Sequence, residues 1–180
     1  MNWQEFSSRL KPGQEIWIMA HEKPDGDAWG SGFGFGIVME SLGYKPRFIR
    51  PSANISTSFS WLPGQHLIHC VPGKSLQPPA DALVVVLDCG DIERCEHNLG
   101  PVEILLNVDH HVSNPGYGEL NWLDTRAGAT AQVLCKIFCP LQATTLSDHG
   151  TDNLSGCEAA DRVDRVDSSK LNHHQFFSIF

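Results

Sequence analysis

Ala82 to Leu87 reads ALVVVL, six apolar residues with no polar alternation. A run this short is too brief for an ordinary helix, and without a polar face it must be buried on both sides, as a strand inside a parallel sheet is. Glu15 to Ala20 (EIWIMA) and Glu103 to Val108 (EILLNV) have the same character, and Lys45 to Arg50, bounded by Pro46 and Pro51, adds a fourth strand. Between the runs the pattern turns helical: Ala28 to Leu42, stopped by Gly43; a short segment from Ile92 to Leu99; and Thr125 to Phe138, whose apolar face is Val133, Leu134, Ile137 and Phe138. Such alternation predicts an α/β fold, doubly wound, with a mainly parallel sheet and helices on both faces. A chain of 180 residues holds one domain of this kind and is short for two.

In folds of this class ligands gather beyond the carboxyl ends of the strands. The polar residues of this chain gather there too. His21, Asp25 and Asp27 follow the first strand, Asp88 and Asp91 follow ALVVVL in VVVLDCGD, and Asp109, His110 and His111 follow the third apolar run in NVDHH. Singly each has an ordinary explanation: PDGD makes a turn, Asp88 could cap a helix, and paired histidines are commonly surface residues. Jointly, at three strand ends that share one edge, they describe a ligand set.

Carboxylates and imidazoles without thiolates suit Mn²⁺ or Mg²⁺, the histidines tilting the choice to Mn²⁺; Zn²⁺ is less favoured, because Cys89, one residue past Asp88, should point to the opposite face. Four aspartates with two or three histidines suffice for two ions if one carboxylate bridges them. Two cations about 3.5 to 4 Å apart are a recurrent device for hydrolysing phosphate esters.

Other readings fail on spacing or composition. Gly30, Gly32, Gly34 and Gly36 do not satisfy G-x-G-x-x-G, since Phe35 and Ile37 occupy the required third positions, and no Gly-Lys-Ser/Thr follows. These glycines are read as close helix-to-sheet packing. With 13 basic against 21 acidic residues and no basic run, the chain has no footprint for duplex DNA. No apolar stretch reaches the ~18 residues of a membrane span. Six cysteines without a C-x-x-C pair, and an opening segment unlike a signal peptide, suggest reduced thiols and a cytoplasmic protein.

HEKPDGDAWGS, VVVLDCGD and NVDHH resemble, in order and spacing, the first three motifs of the DHH phosphoesterases. SFSWLPG and NWLDTRAGATAQ are similar to the bacterial branch of nanoRNase/pAp phosphatases, which trims very short RNAs and dephosphorylates 3′-phosphoadenosine 5′-phosphate; the resemblance covers about residues 1 to 138. It implies that His21 and Asp25 hold one Mn²⁺, that Asp27 and His110 hold the other, and that Asp88 bridges them. It further implies that His111 faces the scissile phosphate as a charge stabiliser or acid and that Asp109 supports the site. The substrates implied are short single-stranded RNA or a nucleotide phosphate. Trp29 stands where the family more often has an aliphatic residue, a change expected to affect packing only.

The resemblance ends in the last forty residues. The family's fourth motif, an aspartate completing the second metal site, and its GGH substrate-binding segment find no counterpart; the nearest echo is Asp152 in Gly150-Thr151-Asp152-Asn153. Residues 1 to 139 are therefore expected to be an incomplete DHH domain. Residues 140 to 180, polar and repetitive (DRVDRVD), are expected to be a frame-shifted or prematurely ended reading of a longer gene, or else a disordered tail. On this reading the chain is an impaired two-metal phosphoesterase. The alternative is a non-catalytic remnant that keeps a metal or nucleotide site.

Overall fold

The computed structural model describes residues 2–146 apart from Lys74 and Gly100, with side chains as far as Phe138. Asp152 and most of the segment expected to be a tail lie outside the described residues.

Among the described residues six parallel strands form one sheet: β1 (Glu15–Met19), β2 (Lys45–Arg50), β3 (Ile68–Cys70), β4 (Leu83–Leu87), β5 (Ile104–Asp109) and β6 (Leu120–Leu123), in the order β3-β2-β1-β4-β5-β6. The α/β expectation is met. The first three strands run outward from β1, and β4 then enters on its other side, pairing Ile16 with Leu83 and Met19 with Val86. That reversal between β1 and β4 opens a crevice at the carboxyl edge.

The two faces of the sheet are covered differently. Helices α1 (Trp3–Ser7), α2 (Gly26–Ser41) and α3 (Thr130–Leu146) share one apolar cluster with Ile16, Ile18, Val85, Leu87, Leu106 and Val108. Its centre is aromatic: Phe33 and Trp29 of α2 pack on Phe48 of β2 at centroid distances of 5.6 and 5.4 Å, worth about 1 kcal/mol per pair beyond the area buried. On the opposite face Trp17, Met19, Val84 and Val86 are covered by loop residues such as Leu76, Cys95 and Leu99, with a single 3-10 turn at Ile92–Arg94 among the described residues.

The glycines of α2 let it lie close to the sheet. A Cβ at Gly32 would overlap the Phe48 ring, and one at Gly36 would come within 2.6 Å of Leu67 Cδ1. The stability that glycine costs in a helix is offset here by apolar contact that a larger residue would prevent. Gly43, φ +86°, ends the helix as expected.

Three local expectations are corrected. The helix expected over Ile92 to Leu99 is only that 3-10 turn, because Arg94 O and Glu96 N are taken by Glu22 N and Ala20 O, 2.9 and 3.1 Å away, in a short antiparallel ribbon. The helix expected from Thr125 begins at Thr130, since Asp124 accepts Arg126 N at 3.0 Å and turns the chain first; it runs to Leu146, past the change of composition at Pro140. Helix α2 starts two residues early, at Gly26, capped by Asp25. Strands β3 and β6 and helix α1 carry too few apolar residues each to announce themselves.

Candidate metal centre

Every residue expected at the site lies at the carboxyl edge of the β1, β4 and β5 region. His21, Asp25, Asp27, Asp88, His110 and His111 line one cleft of about 350 Å³. Asp109 lies at its floor, fully buried. Asp91, also noted at a strand end, instead caps the 3-10 turn by accepting Glu93 N at 3.0 Å.

Asp25 is fixed by its own helix. Its Oδ1 accepts Asp27 N and Ala28 N at 3.0 and 3.2 Å, and no hydrogen bond to its Oδ2 is seen among the described residues. His21 sits in the ribbon opposite Cys95, with Nε2 3.8 Å from Asp88 Oδ2. Burial lowers the His21 pKa below the ordinary imidazole range, so the ring is neutral and able to donate a lone pair. His21, Asp25 and Asp88 bring one donor atom each to within 4.8 Å of one another.

Asp88 follows β4 with φ +52°, the one described non-glycine residue in the left-handed region. That conformation is uncommon outside glycine and asparagine or aspartate, and aspartate tolerates it best among the acidic residues. The carboxyl group is 2% exposed and is pushed up to about 7 by burial first and then by the neighbouring Asp27, against a hydrogen bond from Thr130 Oγ1 at 3.0 Å. A cation placed beside it would offset both causes and favour the carboxylate.

Asp27 is tied to a distant helix. Its Oδ2 accepts Thr130 N at 2.7 Å and its Oδ1 accepts Ala131 N at 2.9 Å and Ser31 Oγ at 3.2 Å. Asp27 thereby caps the N-terminus of α3 from another element, where a negative charge is favoured. His110 faces it, with Nε2 3.6 Å from Asp27 Oδ2 and 3.7 Å from Asp88 Oδ1. The Nδ1 of His110 lies 3.3 Å from Ala127 O, which fixes the proton on Nδ1 and leaves the Nε2 lone pair toward the carboxylates.

Asp109 and His111 form a pair, Oδ1 to Nδ1 2.7 Å. Burial raises the Asp109 pKa, but hydrogen bonds from Asn114 Nδ2 at 2.6 Å, His111 and His110 N outweigh it and hold the group below the usual carboxylate range. The same hydrogen bond raises His111, whose exposed ring can carry a proton at the cleft mouth. Gly90 allows this approach: a Cβ there would sit 2.9 Å from His111 Cβ.

Sequence reasoning missed three participants. Thr130, fully buried, reaches Asp88 with its hydroxyl and Asp27 with its amide. Asn114 spans Asp109 and Cys89 O, and Arg94 lines the cleft as a cation. Their types are common in loops, and only the fold brings them to the site. Cys89 stands where expected, buried against the loop-covered face and outside the donor groups.

Residues 15–153 match the DHH family, N-terminal domain. The chain is 32% identical over 150 residues to the bifunctional oligoribonuclease and PAP phosphatase NrnA of Thermus thermophilus, and 27% identical over 124 residues to the protein of that name from Bacillus subtilis. Those matches take in 78% and 68% of this chain but 41% and 37% of the relatives, so the chain spans about two fifths of the length of the curated relatives it matches. Among solved structures, an exopolyphosphatase-related protein from Bacteroides fragilis shares the fold, with a TM-score of 0.61 at 16% identity, over 79% of this chain and 44% of that one.

Proposed function

The chain belongs to the DHH family, and from that premise we propose that it is a Mn²⁺-dependent phosphoesterase of short oligoribonucleotides or of 3′-phosphoadenosine 5′-phosphate, acting in the cytoplasm. The observation that carries this reading is the buried carboxylate cluster at the switch point. Asp27, Asp88 and Asp109 would repel one another there unless a cation or a proton intervened. The donor set is oxygen and imidazole nitrogen, which fits Mn²⁺ well and Mg²⁺ less well.

In this reading His21 and Asp25 hold a first cation, Asp27 and His110 a second, and Asp88 is shared. Bound as a pair, such cations supply a nucleophile from water at neutral pH and offset charge on the phosphoryl oxygens. The remaining roles belong to the chain. His111, protonated through its bond to Asp109, faces the cleft and stabilises charge on the scissile phosphate or delivers a proton to the leaving oxygen. Asp109 fixes the ring and its charge. Arg94 at the same cleft suits a substrate phosphate.

The NrnA names of the relatives motivate the choice of substrate. The assay is release of phosphate from 3′-phosphoadenosine 5′-phosphate and of mononucleotides from a diribonucleotide, with and without Mn²⁺. No turnover at any Mn²⁺ concentration removes the enzyme reading for this chain.

A second reading has its own observation. Both oxygens of Asp27 already accept hydrogen bonds from α3, which favours a module that binds one cation in the His21 half and does not turn over. Calorimetry separates the two: one ion without hydrolysis supports the module, and two ions with hydrolysis support the enzyme. Residues 1 to 139 as an incomplete domain without a counterpart of the fourth-motif aspartate, and residues 140 to 180 as an atypical tail, stand as part of this proposal.

A further inference from the structure

We infer that Arg50 is a positioning residue for the His21 side of the cleft, acting through Glu96 and aimed by the ring of Trp29. For the role of His21 this rests on the phosphoesterase reading. Arg50 ends β2, and because Phe48 is in register with Ile18, it stands level with Ala20, where the chain leaves β1 for His21. It is 6% exposed. Its guanidinium carbon lies 4.5 Å from the centre of the Trp29 ring on α2, and its Nη1 lies 2.8 Å from Oε2 of Glu96, whose side chain is 8% exposed. Nε finds no acceptor among the described residues, so the ion contact is single rather than forked, and the face of Trp29 sets the plane of the group. Trp29, expected to matter for packing only, therefore also fixes a cation.

What Arg50 grips is the ribbon that carries two cleft residues, His21 and Arg94. His21 faces Cys95 there, between the bonds from Glu22 N to Arg94 O at 2.9 Å and from Glu96 N to Ala20 O at 3.1 Å, with a longer contact from Cys95 Sγ to Ala20 O at 3.5 Å. Two segments joined so briefly are marginal without support from elsewhere. Glu96 is tied twice, by its amide to the residue before His21 and by its carboxylate to Arg50. The next residue is tied to the same strand end: His97 Nε2 donates to Val71 O at 3.0 Å, and Val71 N donates to Arg50 O at 2.8 Å.

A buried ion pair is a poor way to gain stability, since apolar residues of similar volume often serve as well or better. What it adds is register. Sliding or twisting the ribbon would strand both charges away from water, whereas an apolar contact would permit the movement. The direction in which His21 and Arg94 face Asp88 is set by that register, so the pair belongs to the site although neither member lines the cleft.

The full chain is compared with Arg50→Met, Arg50→Lys and the double variant Arg50→Met with Glu96→Leu, by melting temperature, by the nuclear Overhauser contact between the His21 and Cys95 backbones, and by Mn²⁺ calorimetry. The double variant is expected to melt at or above the wild-type temperature, yet with a weakened His21–Cys95 contact and the first cation bound about tenfold less tightly, the second unchanged. Arg50→Lys, which keeps the charge, should recover the contact in part, and Arg50→Met should not. A double variant that keeps the wild-type contact, or one that does not fold, makes the pair structural and overturns the inference. Equal weakening of both cations, or a lysine that recovers no more than methionine, overturns it as well. Wild-type protein that binds no Mn²⁺ removes the metal reading instead, and the His21–Cys95 contact in the double variant then decides this inference by itself.

Discussion

The two halves of the cleft are built by different means. In the first, His21 and Asp25 stand on the loop that leaves β1, with one Asp25 oxygen engaged in capping its own helix. In the second, Asp27 spends both oxygens on the amides of α3, more than a hundred residues away in sequence, and His110 is locked by Ala127 O. The first half is open and local, and the second is preorganised and also holds the fold together. One substitution should therefore cost mainly ligand binding in the first half, and ligand binding together with stability in the second.

The test with the largest effect removes what both halves share. Asp88→Ala should lower hydrolysis by more than about 100-fold, beyond the 10- to 100-fold that a supporting residue of a metal site typically costs, measured as phosphate release at saturating Mn²⁺. Asp88→Asn adds a pH signature in the metal-free protein. The Asp88 carboxyl titrates near 7 when folded and near 4 when unfolded, so the folded state binds the extra proton and stability is lost as pH rises from about 4 through 7. The asparagine variant should not show that loss and should be more stable at pH 8 by about 1 to 3 kcal/mol in urea unfolding.

Next, Asp27→Asn and His21→Ala break the comparison directly. Asp27→Asn should lose the second ion in calorimetry and about 1 to 2 kcal/mol of stability, because one cap acceptor becomes a donor facing an amide. His21→Ala should weaken the first ion about 10- to 100-fold with little change in melting temperature. Equal stability losses in the two variants would erase the distinction between the halves.

Smaller effects sharpen it. With Asp109→Asn the hydrogen bond that raises His111 is weakened and its charge partner is gone, so the ring loses its proton at lower pH and the alkaline limb of the rate profile moves down. An unmoved limb would remove His111 from the role of acid. Thr130→Val should cost about 1 kcal/mol and a few-fold in Mn²⁺ affinity, through the hydroxyl's bond to Asp88 and its longer 3.5 Å bond to Asp109.

The sequence displayed the site better than the layers around it. His21, Asp88 and the DHH triplet were legible because each ends an apolar run, and strand ends in a parallel sheet share an edge. Thr130 was not legible, because nothing local distinguishes it from any helix-starting threonine; its role comes from α3 docking on Asp27. The turn over Ile92 to Leu99 was misread as a helix because its backbone groups are claimed by residues 20 to 22, a pairing that helix propensity cannot register. Strand β6 was missed because LNWL alternates in burial and is only four residues long.

The strand order also governs how the site comes into being. His21 and Asp88 become neighbours only when β4 returns to pair with β1, after β2 and β3 have been laid outward on the other flank. Closing a loop of that length precedes any reward from the contacts it creates, and long-range parallel pairing is correspondingly slow. On the ribosome, the first motif is made long before Asp88, and until β4 arrives it is a solvated loop without its partners. The cleft thus exists only where β1 and β4 are paired, and a cation that prefers the finished cleft would stabilise that long-range pairing by mass action.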